Sequence, residues 1–437
     1  MNEISDRNTD RRVAPGRGWL ALSPVIVFLL LYVAVSVILN DFYKMPIAVA
    51  LVAASVWAVI IYRGHPLAAR IETFSRAAGH FNILYMIWVF ILAGAFATVA
   101  KEIGAVDATV SLTLRVCPPQ FVVPTLFFAA CFISLSVGTS VGTVVALAPL
   151  AVEIAQTVDG SVAFYVAVVL GGAFFGDNLS FISDTTIAAT RSQGCGMADK
   201  FKANLWTALP AALVTLAIYM VMSKDSPAID LVNDSNPWLV LPYLIVLATA
   251  IAGINVTVVL SLGILSAFVM GAVNGFSVMD MAGYAGAGID GMGDLIIVTL
   301  LAAGMLGIIK AAGGIQFLLQ GLSSRIHGKR GAQAILALLV GLVNLCTANN
   351  TVAIITVGGI ARDIAERYGI DPRKSASLLD SASCVVQCLI PYGAQTLLAT
   401  SLAGISPASP FPYLYYPWAL AAMIVLSIIF LFPRRLN

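Results

Sequence analysis

An all-α polytopic membrane protein is the fold class this sequence predicts. It is expected to comprise two inverted repeats, about ten transmembrane helices, and two re-entrant helical hairpins with broken helices at the midplane. Three observations predict it. Of 437 residues, 59% are hydrophobic and 11% charged, whereas a soluble domain has about 25% charged residues. Many windows, such as Trp19 to Leu39, Phe81 to Ala100 and Leu414 to Phe432, have the roughly 20 apolar residues that span a hydrocarbon core of about 30 Å. Two further apolar stretches are interrupted by matching polar runs.

Taken along the chain, the simple crossings fall at 19–39, 46–62, 82–100, 162–190, 203–222, 237–253, 256–273, 293–309, 376–400 and 414–432. Arg7, Arg11, Arg12 and Arg17 precede the first, Arg63, Arg70 and Arg76 follow the second, and Arg434 and Arg435 follow the last. Basic residues collect on the cytoplasmic side, so both termini are expected there, with 1–18 as a cytoplasmic tail. The first apolar run is full length and lacks a small-residue cleavage pattern, and it reads as an uncleaved helix rather than a signal peptide. Residues 19–222 form the first half, 223–236 an external loop and 237–437 the second half. The mixed segments 101–119, 278–292 and 312–328 fit either amphipathic arms at the interface or ordinary loops.

The interrupted stretches are 122–157, with Ser136 to Thr143 at its centre, and 332–367, with Asn344 to Thr351. Unpaired backbone groups are not tolerated in lipid, so each reads as a hairpin whose polar tip is buried in protein or lines a wet cavity. Aligning Thr139 with Thr347 places Thr143 on Thr351. After a two-residue gap, residues 152–156 fall on 362–366, and Ile187 to Thr190 fall on Leu397 to Thr400. This is an internal repeat. The basic-loop count makes the second hairpin enter from the opposite side, and inverted repeats with discontinuous helices are a construction plan of secondary carriers.

The chemistry concentrates in Phe175 to Thr186, which places Asp177, Asn178, Ser180, Ser183, Asp184 and Thr185 inside an otherwise apolar crossing, where an ionised Asp costs about 2.5 to 3.5 kcal/mol. Carboxylate, hydroxyl and freed carbonyl oxygens suit a small hard cation, and a desolvated Asp also takes up a proton. Asp184 is the expected centre of the site, with any sodium held there. The bland alternative is a polar patch that ties helices together. In the second half the aligned run Gln387 to Thr396 retains Pro391 and Gly393 as helix breakers but has no carboxylate. Asp380, earlier on that helix, is either a second titratable group or an interfacial carboxylate. Thr139, Ser140 and Thr143 at one tip, and Thr347, Asn349, Asn350 and Thr351 at the other, are either ion and substrate ligands or helix caps. Gln395 and Thr396 join the second group as substrate-binding candidates.

The remaining features are weaker. Cys117, Cys131, Cys195, Cys346, Cys384 and Cys388 show no secreted framework, and the Cys384/Cys388 spacing fits helix packing. His65, His80 and His327 fall in loops or at span ends. The chain has no Walker loop, dinucleotide fingerprint, metal-spaced cluster or nucleophile elbow, so neither an enzyme nor an ATP-driven pump is expected, with no cofactor and no catalytic residue. Basic residues form no stripe, which argues against nucleic acid. No Lys or Arg falls deep in a predicted crossing, and this favours a cation as cargo.

The run Gly171 to Thr186, with Gly176-Asp177-Asn178-Leu179-Ser180 and Ser183-Asp184-Thr185-Thr186, resembles the signature of the NhaC-type sodium/proton antiporter family. The Gly138-Thr139-Ser140-Val141-Gly142-Thr143 core of the first hairpin resembles that family too. The resemblance implies membership of the ion-transporter superfamily: paired inverted repeats, a mobile transport unit held by a scaffold, often as a homodimer. Phe181 stands where relatives often have proline. Some families with this signature carry amino acids or organic acids. The expectation is thus a bacterial inner-membrane carrier, in contact with lipid, that exchanges sodium for protons by alternating access. The rival is a sodium- or proton-coupled carrier of an amino acid or organic acid.

Overall fold

The computed structural model describes residues 15–38, 46–116, 119–180, 183–223, 236–252, 254–323, 326 and 328–433. Most of the N-terminal tail and of the 223–236 loop, together with Arg434, Arg435, Cys117, Phe181 and His327, lies outside the described residues. The described chain is all helix, and eight of its helices are long and apolar enough to cross a membrane. Shorter apolar helices, among them Ile47–Ile61 and Tyr415–Ile429, add to these.

The element order repeats. In the first half, α1 (Pro15–Ile38), α2 (Ile47–Ile61), α3 (Leu67–Ala78), α4 (Phe81–Glu102) and α5 (Ala105–Val116) lead into the pair α6 (Pro119–Val137) and α7 (Ser140–Thr157). Then come α8 (Val162–Leu179), α9 (Asp184–Gln193) and α10 (Met197–Met222). The second half runs α11 (Leu241–Ile251), α12 (Val256–Val273), α13 (Val278–Asp290), α14 (Gly293–Ala311) and α15 (Gly314–Ser323). The pair α16 (Gly328–Thr347) and α17 (Asn350–Tyr368) follows, then α18 (Pro372–Leu389), α19 (Ala394–Ala403) and α20 (Tyr415–Ile429). The segments left open between arms and loops are helical at α5, α13 and α15. The amphipathic α3 was not foreseen, because its charged face hid it among loop arginines.

From the first hairpin tip onward the register is a constant 210 positions: Ser140 pairs with Asn350, Val162 with Pro372, and Asp184 with Ala394. This corrects the alignment read from the sequence, where matching threonines had required a gap. Backbone geometry, rather than residue identity, is what repeats. Gly138 and Ala348 both take positive φ, at 72° and 49°, and Thr139 and Asn349 follow in extended conformation as N-caps. Asn349 caps with its side chain, accepting from the Val352 N–H at 3.0 Å. Ala348 has a Cβ where its counterpart has none, and a left-handed alanine costs about 1–2 kcal/mol. The second tip therefore stores strain that the first does not.

Packing is reciprocal as well. Helix α3 packs on α14 while its counterpart α13 packs on α4, and α9 packs on α17 while α19 packs on α7. At the α4–α13 crossing the backbones touch: a Cβ on Gly94 would lie 2.3 Å from the Gly288 carbonyl oxygen, and one on Gly288 2.2 Å from that of Gly94. Small residues allow such approach between helices. Gly288→Val is expected to push α13 off α4 and to destabilise the protein by about 1–3 kcal/mol, measured as a lowered melting temperature in detergent, whereas valine at Gly283, which faces open space, leaves it unchanged.

Candidate functional site

Two helix breaks and two hairpin tips converge on one place. Helix α8 stops at Leu179 because Ser180 leaves helical geometry (ψ 146°). Helix α9 restarts where Ser183 accepts from the Thr186 N–H at 3.2 Å. In the second half α18 ends at Leu389, Pro391 removes a donor, and α19 begins at Ala394. Matched bonds hold each hairpin to the helix that follows it: Ser134 Oγ donates to the Ala173 carbonyl at 2.5 Å, and Asn344 Nδ2 to the Ser383 carbonyl at 2.8 Å.

Between the tips lies a cavity of about 180 Å³, lined by Tyr85, Met86 and Val89 of α4, Val256 of α12, and the polar groups Thr139, Ser140, Asp177, Asp184, Thr185, Asn349, Asn350, Thr351, Gln387 and Gln395. Among the described residues no basic side chain lines it. Asp177 is buried and accepts from Ser140 Oγ at 3.0 Å and Asn350 Nδ2 at 3.5 Å. Gln395 Nε2 donates to Ser140 Oγ, and Gln387 Nε2 to Gln395 Oε1, both at 3.0 Å. The network joins both tips and both helix breaks. Among the described residues Asp177 has no ion-pair partner. A desolvated carboxylate left in that state neutralises itself with a proton or binds a cation.

Burial separates the two carboxylates of this segment. Asp184 is the first residue of α9 and is exposed, and it also lines the cavity. Burial goes instead to Asp177. Several other candidates are turned away from the cavity. Thr143 hydrogen-bonds the Thr139 carbonyl, Ser180 the Leu135 carbonyl and Ser183 the Asp177 carbonyl. Thr396 is buried with an unpartnered hydroxyl, and Thr347 Oγ1 donates to the Asn349 carbonyl at 3.0 Å.

A second buried cluster lies behind the first. Lys200 and Asp380, both fully buried, form an ion pair, and Lys200 Nζ also donates to the Asn178 carbonyl and to Thr186 Oγ1, each at 2.6 Å. Asn178 points here, accepting from Asn204 Nδ2 at 2.6 Å and Ser381 Oγ at 3.2 Å. Lys374, also buried, donates to Ser427 Oγ and to the Phe432 carbonyl at the end of α20. Both lysines fall just outside the predicted crossings 203–222 and 376–400, whose own lengths hold no Lys or Arg, yet both are buried. Lys200 was missed because it sits in a mixed stretch, Asp199-Lys200-Phe201-Lys202, that reads as a loop. The remaining signal was Asp380, a carboxylate inside a helix that requires a partner.

Residues 18–224 and 226–433 each match the model of the Na+/H+ antiporter family. An uncharacterized Na+/H+ antiporter of Haemophilus influenzae is 22% identical over 94% of this chain and 94% of its own length. The Na+/H+ antiporter NhaC of Alkalihalophilus pseudofirmus is 24% identical over 78% of this chain and 80% of its own, and a malate-2H+/Na+-lactate antiporter of Bacillus subtilis is 22% identical over 94% of each. Both halves of this multi-pass membrane protein are matched end to end, and the chain belongs to the Na+/H+ antiporter family.

Proposed function

We propose that the protein exchanges sodium for protons across the membrane by alternating access, with Asp177 as the group that holds either ion in turn. One observation carries the reading: a buried carboxylate with no ion-pair partner among the described residues lines a polar cavity in which those residues place no basic side chain. Ser140, Thr139, Thr185, Asn350 and Gln395 supply further oxygens for a desolvated sodium ion, and Asp184 at the entrance raises the local cation concentration.

The two halves are related by inversion, and the hairpins are re-entrant. With the termini in the cytoplasm, α4 and α12 begin at the cytoplasmic face, so the cavity beside Tyr85 and Val256 faces inward. A separate cavity of about 390 Å³, lined by Pro46, Asp294, Thr400, Ser401 and residues 404–407, lies at the far end of α19. Helix α19 separates the two, and its movement against α2 and α14 would open the site outward.

A second reading rests on a neighbouring cavity of about 220 Å³ that shares Met86, Asn349 and Ala394 with the first and is lined mostly by apolar side chains. It would hold the body of a small organic solute coupled to the cation. Everted vesicles carrying a pH-sensitive dye decide between the readings. Sodium alone is expected to collapse the proton gradient, while potassium, malate, lactate and amino acids do not. A collapse that requires an organic solute would favour the second reading.

A further inference from the structure

We propose that Lys200 is a tethered cation filling a second oxygen cage, so that Asp380 takes no part in ion exchange while the lysine is in place. An ammonium has three donors and no acceptor, and all three of these are directed at oxygens: Asp380 Oδ2, the Asn178 carbonyl and Thr186 Oγ1. Asn204 Oδ1, buried on a side chain of the same cluster, has no hydrogen-bond partner among the described residues, and the Asp380 carboxylate is also within reach of the Thr185 hydroxyl of α9. The cage thus holds more oxygen acceptors than one ammonium can satisfy, and this is the surroundings a hard monovalent cation requires.

The groups facing the ammonium come from four helices. Helix α8 gives the carbonyl at its broken end, where the helix dipole is negative. Helix α9 gives Thr186, whose hydroxyl donates a hydrogen bond to the Ser180 carbonyl at 2.7 Å. Helix α10 gives Asn204, and α18 gives Asp380 with Ser381 and Cys384 close by. In the repeat register, Asp380 falls on Leu170 and Lys200 on Pro410. The opposite half therefore lacks carboxylate and ammonium together. Charge and countercharge belong to one device, and a lysine held on α10 cannot be carried across the membrane.

The inference rests on the exchange reading above for its functional consequence, and the experiment separates the two. Wild type, Lys200→Met and Lys200→Met/Asp380→Asn are purified, and each is assayed for sodium-driven proton flux in proteoliposomes and for sodium-dependent melting in detergent. Removing the pair as a neutral unit is expected to leave the half-saturating sodium concentration and the pH profile within about twofold of wild type. Lys200→Met is expected to show a larger sodium-dependent rise in melting temperature than wild type or the double variant, in which sodium binds at Asp177 alone. A folded double variant with flux reduced by about tenfold or more, or with a shifted pH profile, would overturn the proposal by placing the pair in the exchange path. A melting response of Lys200→Met equal to that of the double variant would overturn the cage. If Lys200→Met does not fold, the double variant decides. If wild type shows no sodium-driven flux, the exchange reading fails, and the melting comparison still tests the cage.

Discussion

Asp177→Asn is expected to reduce sodium-driven proton exchange to the level of empty vesicles while leaving the protein folded and more heat-resistant than wild type. Asparagine keeps the shape and can still bond Ser140 and Asn350 but takes up no proton and offers sodium no charge. Burial of a polar group without full compensation costs about 1–3 kcal/mol on mutational scales, and an ionised carboxylate costs more, so its removal relieves the folded state. Wild type should also gain about 2.7 kcal/mol when sodium stands at about 100 times its dissociation constant, a stabilisation Asp177→Asn forgoes. Because proton and sodium compete for one group, the half-saturating sodium concentration should rise about tenfold for each pH unit below the titration of that carboxylate. Asp184→Asn, altering an exposed residue, should raise that concentration by about threefold at low ionic strength and less in high salt, where screening removes the attraction. If Asp184→Asn instead abolished exchange and Asp177→Asn did not, the assignment of the two carboxylates would have to be reversed.

That assignment shows what the sequence can and cannot disclose. Membrane class, family and the polar segment from Phe175 to Thr186 were legible, since apolar run length and carboxylates within it are local properties. Which carboxylate is buried was not. Asp177 and Asp184 are seven positions apart and chemically alike, and only the break after Leu179 and the N-terminal position of Asp184 on α9 separate their exposure. The tips had a related difficulty. Thr139 looks like Thr347, yet it repeats Asn349, because the fold conserves the left-handed residue at Gly138 and Ala348 and lets side chains change around it. Lys200 lay further out of reach, because its burial depends on Asp380, 180 positions later in the chain.

Gly176→Ala is expected to stop exchange nearly as completely as loss of the carboxylate, though for a reason of packing, and to lower the melting temperature where Asp177→Asn raises it. A Cβ at Gly176 would fall 2.3 Å from the Ser134 Cβ and 2.5 Å from the Leu135 nitrogen, and one at Gly172 2.5 Å from the Ala130 Cβ and 2.8 Å from the Phe127 carbonyl oxygen. At Gly176 the obstacle includes backbone, which cannot rotate aside, so α8 must move off α6 at a cost of about 1–3 kcal/mol or more. The second half shows what that movement does: its matching positions hold Ala382 and Val386, and a Cβ on Gly341 would meet Val386 at 3.2 Å, so side chains rather than bare backbone set the spacing of α16 and α18. In the first half the glycine pair draws α8 onto α6 and brings the next residue, Asp177, to the start of α7, where Ser140 Oγ reaches it at 3.0 Å. Displacing α8 by even one ångström breaks that bond and uncouples the carboxylate from the tip. Sodium-driven flux and melting measured on Gly176→Ala and Gly172→Ala decide the point: full exchange by a stably folded Gly176→Ala would show that close contact of these two helices does not position the ion-binding group.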